Sequence, residues 1–152
     1  MKRTFKLTLC LMAMFFAFSM QAKIEKSELL GVWTLVQQEN GMNVISSYDF
    51  KDDNTVTQFL MMNGTSPKMN VVADGTCQYS ISDDCIVFKF SASDFNLTTF
   101  EIEGIPEEYI GLARQQMMSQ MVNVEQKITD VKIEGNQMTA KVDGQTVTFT
   151  RN

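Results

Sequence analysis

From Val32 onward, apolar and polar residues alternate in short runs, and turn dipeptides interrupt them at strand-length intervals. This is the pattern of an antiparallel meander. Val32 to Glu39 is closed by Asn40-Gly41, a strong two-residue hairpin signal. Asn43 to Phe50 ends at Lys51-Asp52-Asp53-Asn54, and Thr55 to Met62 at Asn63-Gly64-Thr65-Ser66-Pro67. After a looser stretch and Asp74-Gly75 come Thr76 to Ser82, Cys85 to Phe90 and Phe95 to Glu103. Val124 to Glu134, Gln137 to Val142 and Gln145 to Thr150 follow, joined by Gly135-Asn136 and Asp143-Gly144. The pattern predicts an all-β, antiparallel up-and-down barrel of about eight to nine strands.

One segment breaks the alternation. Gly104-Ile105-Pro106-Glu107-Glu108 places a proline and two acids where a helix begins. Tyr109, Ala113, Met117 and Met121 then recur every four residues, with Ile110 and Leu112 widening the stripe. A helix is expected over about 106–122. The strand count and the helix are linked. In a closed antiparallel barrel, the chain ends share a rim only if the strand number is even, and nine segments are odd. Either the helix carries the chain back along the wall, or two segments form one strand bent around Ser91 to Asp94. A helix of about 17 residues spans ~25 Å and eight strand residues ~26 Å, so both remain open.

Residues 1–22 read as an export signal. Lys2, Arg3 and Lys6 precede an apolar run from Leu7 to Phe18, too short to span a bilayer as a helix. Cleavage after Ala22 is expected, with Ala17-Phe18-Ser19 as the alternative, leaving one domain over 23–152. Cys10 lies inside the apolar run after Leu9, which is not small, so no lipid anchor is expected. The signal holds three of the 13 basic residues and none of the 18 acids, so the mature chain carries a net charge of −8. Such an acidic domain is a poor partner for nucleic acid. An exported chain ends up in the periplasm or outside the cell.

Two cysteines remain, Cys77 and Cys85. If Asp83-Asp84 is the hairpin turn, Tyr79 pairs with Phe88 and Ile81 with Ile86. Cys77 and Cys85 then lie on opposite faces, which the geometry of a disulfide forbids. The competing register would set Cys77 opposite Cys85 and put Ile81 at the turn tip.

Catalytic chemistry finds few candidates. The chain has no histidine, the commonest general base and zinc ligand, and no Gly-x-Ser-x-Gly elbow or phosphate loop. The pairs Asp52-Asp53, Asp83-Asp84 and Glu107-Glu108 sit where turns and helix starts favour acids. No enzyme activity, metal or cofactor is expected. Phe50, Tyr79, Phe88 and Phe90 are the aromatic set that either fills a barrel or lines a pocket in it. Met117 and Met121 either dock the helix or, with Met118, Met61 and Met62, offer an adaptable apolar surface.

Gly31-Val32-Trp33 at the first strand and Thr148-Phe149-Thr150-Arg151 at the last resemble the ends of a lipocalin barrel. In that family a Gly-x-Trp tryptophan packs against an arginine of the final strand at the closed end. Asp49 to Thr57 and Gly75 to Ile81 resemble a hairpin and a middle strand of small secreted bacterial lipocalin-like domains. The helix departs from the family pattern, because it precedes the last three strands instead of following the eighth. The resemblance implies that Trp33 stacks with Arg151, and that the barrel interior holds a small apolar or amphipathic ligand. The alternative is a solidly packed barrel serving protein interaction or envelope structure.

Overall fold

The computed structural model describes residues 23–151, so the expected export signal lies outside them. Among the described residues, nine strands and two helices form one barrel. The strands are β1 (Gly31–Glu39), β2 (Met42–Phe50), β3 (Thr55–Thr65), β4 (Lys68–Ser82), β5 (Cys85–Phe88), β6 (Phe95–Ile102), β7 (Gln126–Glu134), β8 (Gln137–Val142) and β9 (Gln145–Arg151). The helices are α1 (Lys26–Leu29) and α2 (Glu107–Met121). Eight strands close in the order β1-β2-β3-β4-β5-β7-β8-β9, with β9 returning to β1 and β6 added alongside β4. Asn40 and Gly41 both take positive φ, as do Asp143 and Gly144, which is what the tightest hairpins require.

The stretch between Pro67 and Thr76, read from sequence as a loose connection ending in a turn, is the first half of β4. Of its 15 residues, Lys68 to Gln78 pair along one edge with β3. Along the other edge they pair first with β6, from Met69 to Gly75, and then with β5, from Tyr79 to Ser82. Both β5 and β6 run antiparallel to β4, so they are one strand line interrupted at 89–94. The bent strand is therefore what makes the barrel number even. Gly75 permits the interruption: a Cβ there would lie 2.5 Å from the Phe95 ring and 2.8 Å from the Asp94 carbonyl oxygen. The Thr76 N–H donates to that same oxygen at 3.1 Å. Asp74-Gly75 thus serves a close approach of two backbones, with no turn.

Helix α2 descends from the end of β6 to the level of Phe90, whose carbonyl accepts from the Asn123 N–H at 2.7 Å. It occupies the upper part of the wall line that β7 continues below. It docks loosely, with none of its residues fully buried. Ala113, Met117, Met118 and Met121 are half-buried, as is Ile110. Tyr109 and Leu112, expected on the docking stripe, are exposed, and Met118 belongs to the packed face. The 3.6-residue period explains the difference, because a face defined by Ala113, Met117 and Met121 reaches back to Ile110. Arg114 extends to the outer edge of β6 and donates to the Leu97 carbonyl at 2.7 Å.

The end of the barrel bearing Gly31 and Arg151 is closed. Residues 24–30 cross it. The Ile24 N–H donates to Asp83 O at 2.9 Å, and Lys26 pairs with Asp52 at 3.3 Å. Trp33 is fully buried, and its indole N–H donates to the Leu29 carbonyl at 2.7 Å. The Arg151 guanidinium lies 4.2 Å from the centre of the Trp33 ring and donates to the Glu28 carbonyl. Trp33 and Arg151 are also strand partners across the β1–β9 seam.

Two outcomes follow. Arg151→Ala should lower unfolding free energy by about 1–3 kcal/mol, since it removes a cation–π contact worth about 0.5–2 kcal/mol and the packing of the arginine stem. Native Trp33 fluorescence should be blue-shifted and poorly quenched, and a melt of Arg151→Ala matching the parent would count against the contact. The β4–β5 register is the one set by the Asp83-Asp84 turn, with Ser82 opposite Cys85, and both thiols are free. Alkylation of the denatured 23–152 chain without reductant should add two labels. A two-proton mass deficit with no label would reverse this assignment.

Candidate functional site

The barrel interior divides into a fully buried floor and a half-buried upper part. At the floor, alternate residues of neighbouring strands bring rings together. Tyr48 lies 5.7 Å from Phe88 and 5.9 Å from Phe149, centre to centre. Phe50 meets Tyr79 edge-on at 5.1 Å, and Phe90 links Phe88, at 5.7 Å, to Phe95, at 5.3 Å. Such tilted and edge-to-face pairs are the favoured arrangement of aromatic quadrupoles. Phe50, Tyr79, Phe88 and Phe90, grouped from the sequence, therefore form one contiguous, buried cluster. The Tyr79 hydroxyl donates to Lys51 O at 3.0 Å, fastening the cluster to the β2–β3 turn.

Above the floor the inward positions are mostly apolar, with Ser46 between Leu35 and Leu60 as an exception, and are no longer fully covered. On β3 the inward series runs Val56, Gln58, Leu60, Met62; Val56 is fully buried, whereas Leu60 and Met62 are half-buried. Leu35 on β1, Met69 on β4, and Phe100 and Ile102 on β6 behave in the same way. Met69 pairs with Ile102 and Val71 with Phe100, so these side chains share a face. Met117, Met118 and Met121 add to this apolar set from α2. At the rim, a groove of about 690 Å³ opens between the β3–β4 hairpin, the end of β6 and the start of α2. Met69, Phe100, Ile102 and Ile110 give it apolar walls, while Lys68 and Glu103 add charge.

Sequence reasoning found the floor, the three helix methionines and Met62, but missed Leu35, Leu60, Met69, Phe100 and Ile102. Leu35 and Leu60 carried a signal, since they fall on the inward parity of strands already recognised. Met69 was hidden because its segment reads as a loop. Gln58 was also missed, although a polar residue between inward Val56 and Leu60 breaks the expected alternation. It is only 7 % exposed, and its side-chain N–H donates to the Tyr48 hydroxyl at 3.1 Å.

The Asp52-Asp53 pair is occupied by local structure. Asp53 accepts from the Thr55 N–H at 3.0 Å and from its hydroxyl at 2.5 Å, which lowers its pKa, and Asp52 holds Lys26. Burial acts in the opposite direction on Cys77, Tyr48 and Tyr79. It pushes the Cys77 thiol up to about 11, a poor state for a nucleophile. Burial, helped by the charge of Asp143, pushes the Tyr48 phenol up to about 12. No family model matches the chain, and no curated protein matches it either.

The Tyr48 shift has a stability consequence. Its folded pKa lies above the ordinary phenol value of 10.0, so the fold favours the neutral form. That contribution is complete below pH 10 and is lost as pH rises towards about 12. Denaturation midpoints measured across this window should fall for the parent and fall less steeply for Tyr48→Phe. Parallel curves would assign the alkaline loss to other groups.

Proposed function

We propose that this protein is an exported, lipocalin-like binding protein that holds a small apolar or amphipathic molecule in the open half of its barrel. The observation that carries this reading is the half-covered state of Leu35, Leu60, Met62, Met69, Phe100 and Ile102. These apolar side chains face inward above a floor that is fully packed. Leaving them in contact with water costs about 25 cal/mol per Å², which an apolar ligand would recover. Methionines of α2 beside them suit a site that adapts to ligand shape. The basic and apolar segment at residues 2–18 supports export, and the Gly-x-Trp and arginine pair supports the family resemblance. The role is non-catalytic, with binding as the activity.

A second reading is a protein-interaction or envelope-structural domain, and one observation favours it. Val36, Ile45, Met61 and Val72 are successive cross-strand partners on the outer face of β1 to β4, and Val36 is 57 % exposed. Phe59 lies on the same face and is also exposed. A row of this kind suits contact with another protein.

Native mass spectrometry of freshly purified mature protein, followed by solvent extraction, separates the two. A co-purifying lipid-like mass is expected, together with enhanced fluorescence of the neutral dye N-phenyl-1-naphthylamine. Leu60→Asp and Met62→Asp should each weaken dye binding by about tenfold or more, because they set a charge in the apolar half. A bare chain that leaves the dye dark would favour the second reading.

A further inference from the structure

The floor of the open half holds an incomplete polar pair. Gln58 and Tyr48 are cross-strand partners on β3 and β2, and both side chains face the barrel interior. Each is more than nine-tenths buried. The Gln58 amide donates to the Tyr48 hydroxyl oxygen at 3.1 Å, but its own Oε1 is buried with no partner among the described residues. Turning the amide over would let Oε1 accept from Tyr48 and strand both N–H groups instead, so neither orientation satisfies it. An unmet polar group at this depth is destabilising, since it has lost water and gained nothing in return. Leucine or methionine would fill the same space without that loss, as Val56 and Leu60 do on either side.

We propose that Gln58 and Tyr48 are a recognition site for a neutral hydroxyl group carried at the end of an apolar chain. The assignment rests on the binding function proposed above. The ligand hydroxyl would donate to Gln58 Oε1 and accept from the Tyr48 O–H, whose proton has no acceptor among the described residues. One donor and one acceptor side by side match an alcohol, which offers both. An ether can accept but not donate, and an ionised carboxylate likewise lacks the proton that Oε1 needs. A carboxylate also meets an unfavourable field, since Asp143 already adds negative charge at the phenol and burial disfavours a second anion there. The apolar chain would run upward past Leu60 and Met62 towards the rim.

The test is displacement of N-phenyl-1-naphthylamine at pH 8 by 1-decanol, by its methyl ether and by decanoate. The parent should bind the alcohol about tenfold or more tightly than either analogue. In Gln58→Leu, and in the nearly isosteric Gln58→Met, the ratio of alcohol to ether affinity should fall to about one. Thermal melting is read alongside. A variant that melts higher yet keeps the parent's ratio would show that Gln58 is a core misfit without a role in recognition, and would overturn the assignment. Equal binding of alcohol and ether by the parent would overturn it too, while leaving the apolar site intact. A parent that binds neither dye nor decanol would instead remove the binding function, and this site with it.

Discussion

The barrel is closed by a seam two residue pairs long. Strands β1 and β9 meet only at Trp33 with Arg151 and Thr34 with Thr150, whereas β1 and β2 are paired over their whole nine-residue length. A ladder of two pairs is a weak closure by itself, and side chains reinforce it. The guanidinium covers the indole, both groups donate to the last carbonyls of α1, and the Thr150 hydroxyl reaches Thr34 O at 3.4 Å. Helix α1 presents carbonyls that no further helical turn can satisfy, and Trp33 and Arg151 supply the donors they lack. The plug, the seam and the buried tryptophan therefore depend on one another.

A second constraint acts halfway up the wall. Because β4 hands its edge from β6 to β5 at Gly75, the lower barrel is walled by strands all round, while the outer edge of β6 is left to α2. A helix cannot extend a backbone ladder, so it meets that edge through side chains, with Arg114 on the Leu97 carbonyl and methionines on the interior. The lower half packs its rings to completion and the upper half does not. Gly75 permits the handover from β6 to β5, and the β8–β9 turn at Asp143-Gly144 lies level with β5, so the last three strands wall the lower half only.

Much of this was legible in the chain. Turn dipeptides with the right φ requirements marked most of the hairpins, and two-residue periodicity placed Tyr79, Phe88 and Phe50 on the inner face. The Asp83-Asp84 turn set a register that separates Cys77 from Cys85. What misled was chemistry with two uses. Asp74-Gly75 has the composition of a turn, yet its glycine is required by a contact with Phe95 and Asp94 that no local pattern encodes. Tyr109 was placed on the docking face by a four-residue spacing that drifts from the true helical period. Gln58 broke an alternation in plain view, but its meaning depends on how deep the position lies, and depth is a property of the assembled barrel.

The seam also sets when the barrel can exist. Thr34 and Thr150 are 116 positions apart, and Arg151 is the next residue. Every hairpin from β1 to β8 can form from neighbouring sequence, but the ring cannot shut until β9 has been made. Long-range pairing of this sort is slow, because the entropy of bringing distant segments together is spent before any contact repays it. A nascent chain of this design stays unclosed until Arg151 has been made. Until then the strands remain an open meander, and β9 acts as the latch that ends that state.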